Sequence, residues 1–171
     1  FTGLHSGGLQ CWNVMTQTLV ASAPGPATPT RALCFFVQTG RELVVSGSDD
    51  AQLRVFVFGV GLGTSERELR YETEVTAADD YIRSVSKHPT LPLLLVTSDD
   101  MIVNLFDTMH WTKTATLGGH EHYVMQGAFH PGETKTCATC SLDETVRVWN
   151  IETQTCTAIL TGHGAGVNCI N

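Results

Sequence analysis

Basic residues are scarce in this chain: ten Lys and Arg stand against 17 Asp and Glu, a formal net charge of −7 over 171 residues. Nucleic-acid binding depends on a dense surplus of cationic side chains, so no nucleic-acid partner is expected and the acidic balance favours cationic ligands. Long hydrophobic runs are also missing. The longest, Leu91 to Val96 and Val55 to Gly63, fall well short of the roughly 18 residues a membrane-spanning helix needs. No cationic-then-apolar leader opens the chain, so no membrane span is expected. Charged residues are 16%, hydrophobic residues 42% and Pro only 6, a balance that excludes disorder, collagen and coiled coil. No stretch carries the 3.6-residue period of an amphipathic helix. The chain starts at Phe1 and stops at Asn171 directly after Val167-Asn168-Cys169-Ile170, and it reads as a piece of something longer.

Catalytic patterns are missing too. No Gly-x-Ser-x-Gly elbow accompanies the seven histidines, and His120-Glu121-His122 lacks the i, i+4 spacing that lets two imidazoles share a zinc ion. Gly59-Val60-Gly61-Leu62-Gly63-Thr64 has no Gly-Lys-Ser/Thr and no following helix, so it reads as a flexible insertion and not a phosphate loop. The six cysteines are scattered among apolar residues and read as reduced, mostly buried thiols. Cys137 and Cys140 lie in a strand-like run without a second ligand pair, which argues against zinc and against a redox motif. No enzyme, metal or cofactor is expected. An Asn-x-Ser/Thr acceptor is lacking as well, in keeping with a cytosolic chain.

What the sequence does contain is a repeat. Ser6-Gly-Gly-Leu-Gln-Cys-Trp12-Asn13, Asp50-Ala-Gln-Leu-Arg-Val-Phe56-Val57, Asp100-Met-Ile-Val-Asn-Leu-Phe106-Asp107 and Asp143-Glu-Thr-Val-Arg-Val-Trp149-Asn150 align, with aromatics at 12, 56, 106 and 149. Residues alternate apolar and polar before each aromatic, as in a strand with one buried face. Tight polar turns precede them at Ser48-Asp49-Asp50, Ser98-Asp99-Asp100 and Ser141-Leu142-Asp143. A unit of about 40 to 45 residues with four strands, ending in Trp-Asp or a relative, is the pattern of a WD-repeat β-propeller. The expected fold is all-β, about three full blades plus incomplete terminal ones of a seven-bladed ring. Blades are expected at 1–20 (partial), 30–72, 80–118, 122–161 and 165–171 (partial).

Each such blade can bury a polar set of His, Ser or Thr, turn Asp and third-strand Trp, because these groups can satisfy one another in a hydrogen-bonded chain. His120, Thr139, Asp143 and Trp149 form the complete set. In the preceding repeat Ala77-Ala78, Val96 and Phe106 replace three of the four, which leaves Asp100 expected to be less well satisfied in a weaker blade. Asp50 has the same structural duty in its repeat. Asp49 and Asp99 are neighbours on those turns with no such duty, and Asp80 is expected near the same mouth. Carboxylates converging there suit ammonium groups, whereas the plainer reading of these acids is a solvated face.

Two stretches carry a narrower resemblance. Ala78-Asp-Asp-Tyr-Ile-Arg-Ser-Val85 with Thr97-Ser-Asp-Asp-Met101, and Gly119-His-Glu-His-Tyr-Val-Met-Gln126 with Gly166-Val-Asn-Cys-Ile170, resemble the β′ subunits of coatomer, the COPI vesicle coat. The similarity runs along essentially the whole chain and breaks at Ala21 to Thr30 and Gly59 to Thr76. It implies a non-enzymatic coat subunit whose propeller binds C-terminal dilysine tails of membrane cargo for Golgi-to-ER retrieval and intra-Golgi transport. It further implies association with other coatomer subunits, especially alpha, and a cytoplasmic protein peripheral to Golgi membranes and coated vesicles. Position by position, Asp80 and Asp99 match residues that contact the lysines, and Arg31 matches one that receives the terminal carboxylate. His5 stands where the family usually has Tyr. Further basic residues of the carboxylate pocket are expected upstream of Phe1. The alternative is a WD-repeat scaffold of another complex that reads a basic peptide.

Overall fold

The computed structural model describes residues 1–61 and 63–171. Fifteen strands fall into four antiparallel sheets, each a simple meander. The first holds β1 (Thr2–Gly3), β2 (Leu9–Asn13) and β3 (Thr18–Ala23). The second holds β4 (Thr30–Gln38), β5 (Arg41–Ser48), β6 (Gln52–Val60) and β7 (Arg67–Thr76). In the third are β8 (Ile82–Lys87), β9 (Leu93–Ser98), β10 (Val103–Asp107) and β11 (Thr112–Leu117). The fourth consists of β12 (Val124–Phe129), β13 (Thr136–Ser141), β14 (Val146–Asn150) and β15 (Thr155–Leu160).

Inner strands pack beside inner strands, β4 against β8 and β8 against β12, so the sheets fan around one axis as in a partial propeller. Apolar layers fill the spaces between them. Val45, Leu53, Ile82, Leu94 and Phe106 join the second sheet to the third. Leu95, Leu105, Leu117, Phe129 and Trp149 join the third to the fourth. Gly47 permits the close approach of β8, since a Cβ there would lie 2.5 Å from Cγ2 of Ile82.

The repeated aromatic has a geometric reason. In every sheet the ladder between the last two strands slips at that residue: Cys11/Trp12, Val55/Phe56, Leu105/Phe106 and Val148/Trp149. Phe56, Phe106 and Trp149 are buried, whereas Trp12 is 43% exposed because, among the described residues, no sheet packs outside the first.

The residue after the aromatic decides the next turn. Asn13, Asp107 and Asn150 each accept two backbone N–H groups of the following hairpin through Oδ1, from Met15 and Thr16, Met109 and His110, and Glu152 and Thr153. Such turns close a hairpin early. Val57 has no side-chain acceptor, and β6 and β7 run on to a final pair at Val60 and Arg67. Of the Gly59–Thr64 run expected to be a flexible insertion, Gly59 and Val60 extend the ladder, and Leu62 lies outside the described residues. The exposed outer strand β7 alternates charges, Arg67-Glu68 followed by Arg70, Glu72 and Glu74.

Residues Ala21 to Ala23, expected in an interruption, belong to β3. The closing segment 165–171 forms no strand, though Val167 N–H donates to the carbonyl of Ser141 (2.9 Å) and Ile170 N–H to Oε1 of Gln126 (3.2 Å). All six cysteines are free thiols. Cys11, Cys137 and Cys140 are buried, and burial pushes the Cys137 thiol up to about 12. Cys169, by contrast, is exposed.

Candidate functional site

The complete polar set of the fourth sheet is a single relay. Trp149 Nε1–H donates to Thr139 Oγ1 at 2.8 Å, and Thr139 Oγ1 lies 2.8 Å from His120 Nε2. His120 Nδ1 lies 2.7 Å from Asp143 Oδ2. Since the hydroxyl already accepts from the indole, its own proton serves Nε2, and Nδ1–H serves the carboxylate. Every group is satisfied with the imidazole neutral. Asp143 also receives the N–H groups of Glu121 (3.0 Å) and Thr145 (2.9 Å).

The second sheet solves the same problem with a guanidinium. Arg54 donates to both oxygens of Asp50, at 3.2 and 2.6 Å, and to Ser48 Oγ at 2.8 Å. Burial alone would raise the Asp50 carboxyl, but the bonds from Arg54 and Ser48 outweigh it and hold it at about 2.

In the third sheet Asp100 is well satisfied, contrary to expectation. Its oxygens accept the N–H groups of Asp79 and Ile102, both at 2.9 Å, and the hydroxyl of Ser98. Asn104 bridges where the imidazole is lacking, giving Nδ2–H to the carbonyl of Ala77 and accepting from Thr116 Oγ1. Asn104 carries no repeat signal, because Arg stands at that position in the neighbouring repeats.

A second histidine device ties sheets together. His88 Nδ1 accepts the N–H groups of Thr90 and Leu91, so its Nε2–H donates to the carbonyl of Thr134 in the next sheet, at 3.1 Å. Burial lowers both the His88 and the His120 pKa. An unfolded chain therefore takes up these protons near the ordinary His value of about 6.5, before the folded one does, so stability is lost as pH falls through that region. Depressed Asp50 and Asp143 carboxyls extend the loss below the ordinary carboxylate range. Thermal melts should show Tm falling steadily from pH 7 to pH 4. A flat profile between pH 7 and pH 5 would contradict neutral burial of the two imidazoles.

The mouth is built from inner-strand bulges. The ladder between first and second strands slips once in each complete sheet, between Thr30 and Ala32, Ile82 and Ser84, and Val124 and Gln126. The extra residues are Arg31, Arg83 and Met125. A bulge frees its residue from the alternation of the strand and re-aims the side chain, and all three line one open cleft of about 340 Å³. Facing them are the turns before the third strands. These turns are equivalent because the residue two positions on has positive φ in each: Gly7, Ala51, Met101 and Glu144. His5, Asp49, Asp99 and Leu142 thus occupy one position in the four sheets.

Asp49 and Asp99, expected to have no duty in the buried blade set, are each gripped by an arginine. Arg31 Nε and Nη2 donate to the two oxygens of Asp49 at 2.8 Å each. Arg83 makes the same fork to Asp99, with Nε to Oδ1 at 2.6 Å. The Asp99 side chain is only 5% exposed. The bond to Asp49 raises the Arg31 pKa, and the nearby Asp99 carboxylate adds to it. Asp80 is exposed, with Oδ1 on the N–H of Tyr81, whose carbonyl accepts Asp99 N–H. Asp80, Asp99 and Arg31 are therefore brought together, while His5 lies exposed on the first sheet's turn. Arg83 escaped the sequence reading. Its signal was available, since Arg31 and Arg83 both stand at the start of the inner strand ahead of a turn Asp.

The family pattern described as WD domain, G-beta repeat matches residues 111–150, spanning β11 or its approach through the Trp149 strand. The chain carries a WD repeat. Along 99% of its length this WD-repeat chain is 40% identical to a protein named as a coatomer subunit beta′-3 of Oryza sativa subsp. japonica, covering 18% of that protein. Over 61 residues, 36% of the chain, it is 46% identical to coatomer subunit beta′-2 of the same plant. The corresponding figure for coatomer subunit beta′ of Drosophila melanogaster is 43% over 61 residues, 7% of that protein. The chain thus spans less than a fifth of the length of these relatives, and its similarity to the beta′-3 protein of Oryza sativa extends through all four sheets.

Proposed function

We propose that the chain forms part of the propeller of a COPI coat subunit and that its mouth binds C-terminal dilysine tails of membrane cargo, in retrieval from Golgi to ER and transport within the Golgi. The observation that carries this reading is the single cleft lined by both fork arginines, Arg31 and Arg83, with Asp80 exposed just before Tyr81, whose carbonyl accepts Asp99 N–H. An ammonium group reaches the exposed Asp80 directly, and one that binds Asp99 must compete with the Arg83 fork. The ligand carboxylate meets Arg31, whose 41% exposure leaves it room for a second acceptor. Other coatomer subunits, alpha among them, are the proposed assembly partners, and the proposed location is cytoplasmic, peripheral to Golgi membranes and coated vesicles.

Calorimetric titration with a dilysine-ended peptide tests the binding. Asp80→Ala with Asp99→Ala should weaken binding at least tenfold, the scale of one charge-assisted hydrogen bond. Affinity should also fall as salt rises. Unchanged affinity in the double variant sinks the assignment.

A further inference from the structure

Two residues before the repeated aromatic stands a polar side chain that needs a partner: Arg54 in β6, Asn104 in β10 and Arg147 in β14. In the second sheet the residue opposite it on the outer strand is Glu74, and Arg54 Nε meets Glu74 Oε2 at 3.1 Å. In the third it is Thr116, whose hydroxyl donates to Asn104 Oδ1 at 3.1 Å. In the fourth it is Ile159, whose side chain has no acceptor. The turn acid gives no help there, because Asp143 Oδ2 already serves His120 and Glu121, and Oδ1 serves Thr145. Arg147 Nε is buried without a hydrogen-bond partner, and among the described residues no carboxylate pairs with the guanidinium.

A guanidinium partly removed from water and lacking a counter-charge attracts an oxyanion strongly. It is also reachable. Arg147 is half-buried, and beside its tip lies the exposed Gly119, where a Cβ would come 2.8 Å from Nη1. The third sheet has the buried Ala77 at that position, and its carbonyl takes Asn104 Nδ2–H at 2.9 Å. We propose that Arg147 is a binding site for a carboxylate presented by an acidic segment of a partner protein. The class of ligand follows from the second sheet, where the same position is satisfied by the carboxylates of Asp50 and Glu74. The planar fork of a guanidinium also matches a carboxylate with two parallel bonds. This ligand is opposite in charge to a dilysine tail, so the two readings stand or fall separately.

The test titrates the isotope-labelled chain with a capped pentapeptide carrying one Glu among Ser residues, followed by nuclear magnetic resonance at the Arg147 Nε–H signal. Arg147→Lys assigns that signal by removing it. The signal should move to saturation with the Glu peptide and stay in place when Gln replaces Glu. Ile159→Glu rebuilds the pair of the second sheet at a half-exposed position. It should move the same signal without peptide and weaken peptide binding about tenfold, the scale of one charge-assisted hydrogen bond. A far-ultraviolet circular dichroism melt confirms that this variant is folded. An unmoved signal, equal movement with the Gln peptide, or binding that Ile159→Glu leaves intact overturns the site. A response to a phosphoserine peptide but not to the Glu peptide assigns the position to phosphate and overturns the carboxylate reading.

Discussion

Asp143→Ala is expected to destabilise the chain by about 3 kcal/mol, measured by equilibrium denaturation, the scale seen when one partner of a buried hydrogen-bonded pair is removed. The carboxylate receives His120 Nδ1–H, the hydroxyl and N–H of Thr145 and the N–H of Glu121. Alanine leaves all of them without that acceptor. The loss also spreads inward, because Asp143 fixes the tautomer that lets Thr139 serve both His120 and Trp149. The same substitution at Asp100 should cost less, since the acceptor removed there serves backbone groups and Ser98 but no buried imidazole. Equal losses at the two sites would show that the relay adds nothing beyond its turn.

Gly47→Val should cost about as much, for a different reason. The nearest atoms to a new Cβ belong to Ile82, which is fully buried and β-branched, and to Val85 at 3.3 Å. Neither can swing aside, so the second and third sheets must separate and expose the layer containing Val45, Leu53 and Phe106. Overpacking of this kind typically costs 1–3 kcal/mol, and here it acts at an interface between sheets. The expected signature is an earlier, less cooperative thermal transition with binding of hydrophobic dye before it. A variant melting like the parent would show that the sheets tolerate separation.

Much of this architecture was legible beforehand. The aromatics at 12, 56, 106 and 149 disclosed the repeat, and the His120 relay followed from the chemistry of its four groups. The ion-pair mouth was only half legible. Asp49 and Asp99 read as acids without a blade duty because their partners stand 18 and 16 residues away, on bulges where the extra residue breaks the two-residue period that marks a strand. Asp100 was misjudged because backbone N–H groups leave no trace in the sequence, and Asn104 because its amide does work that other repeats give to His or Arg. Val57 was informative in hindsight. Its lack of an acceptor is what turned a suspected flexible loop into a longer hairpin.

The outer strands are unequal in a way that matters for solubility. Along β7 opposite charges alternate, so a foreign strand approaching that rim meets repulsion in most registers. Along β15 the run Thr-Cys-Thr-Ala-Ile-Leu carries no charge, and Ile159 and Leu160 are each half exposed. Unwanted strand pairing is therefore favoured along β15, as along the uncharged edge strand β3 with its exposed Leu19, and a single lysine at Ile159 would act on β15 as a gatekeeper of the kind β7 already possesses.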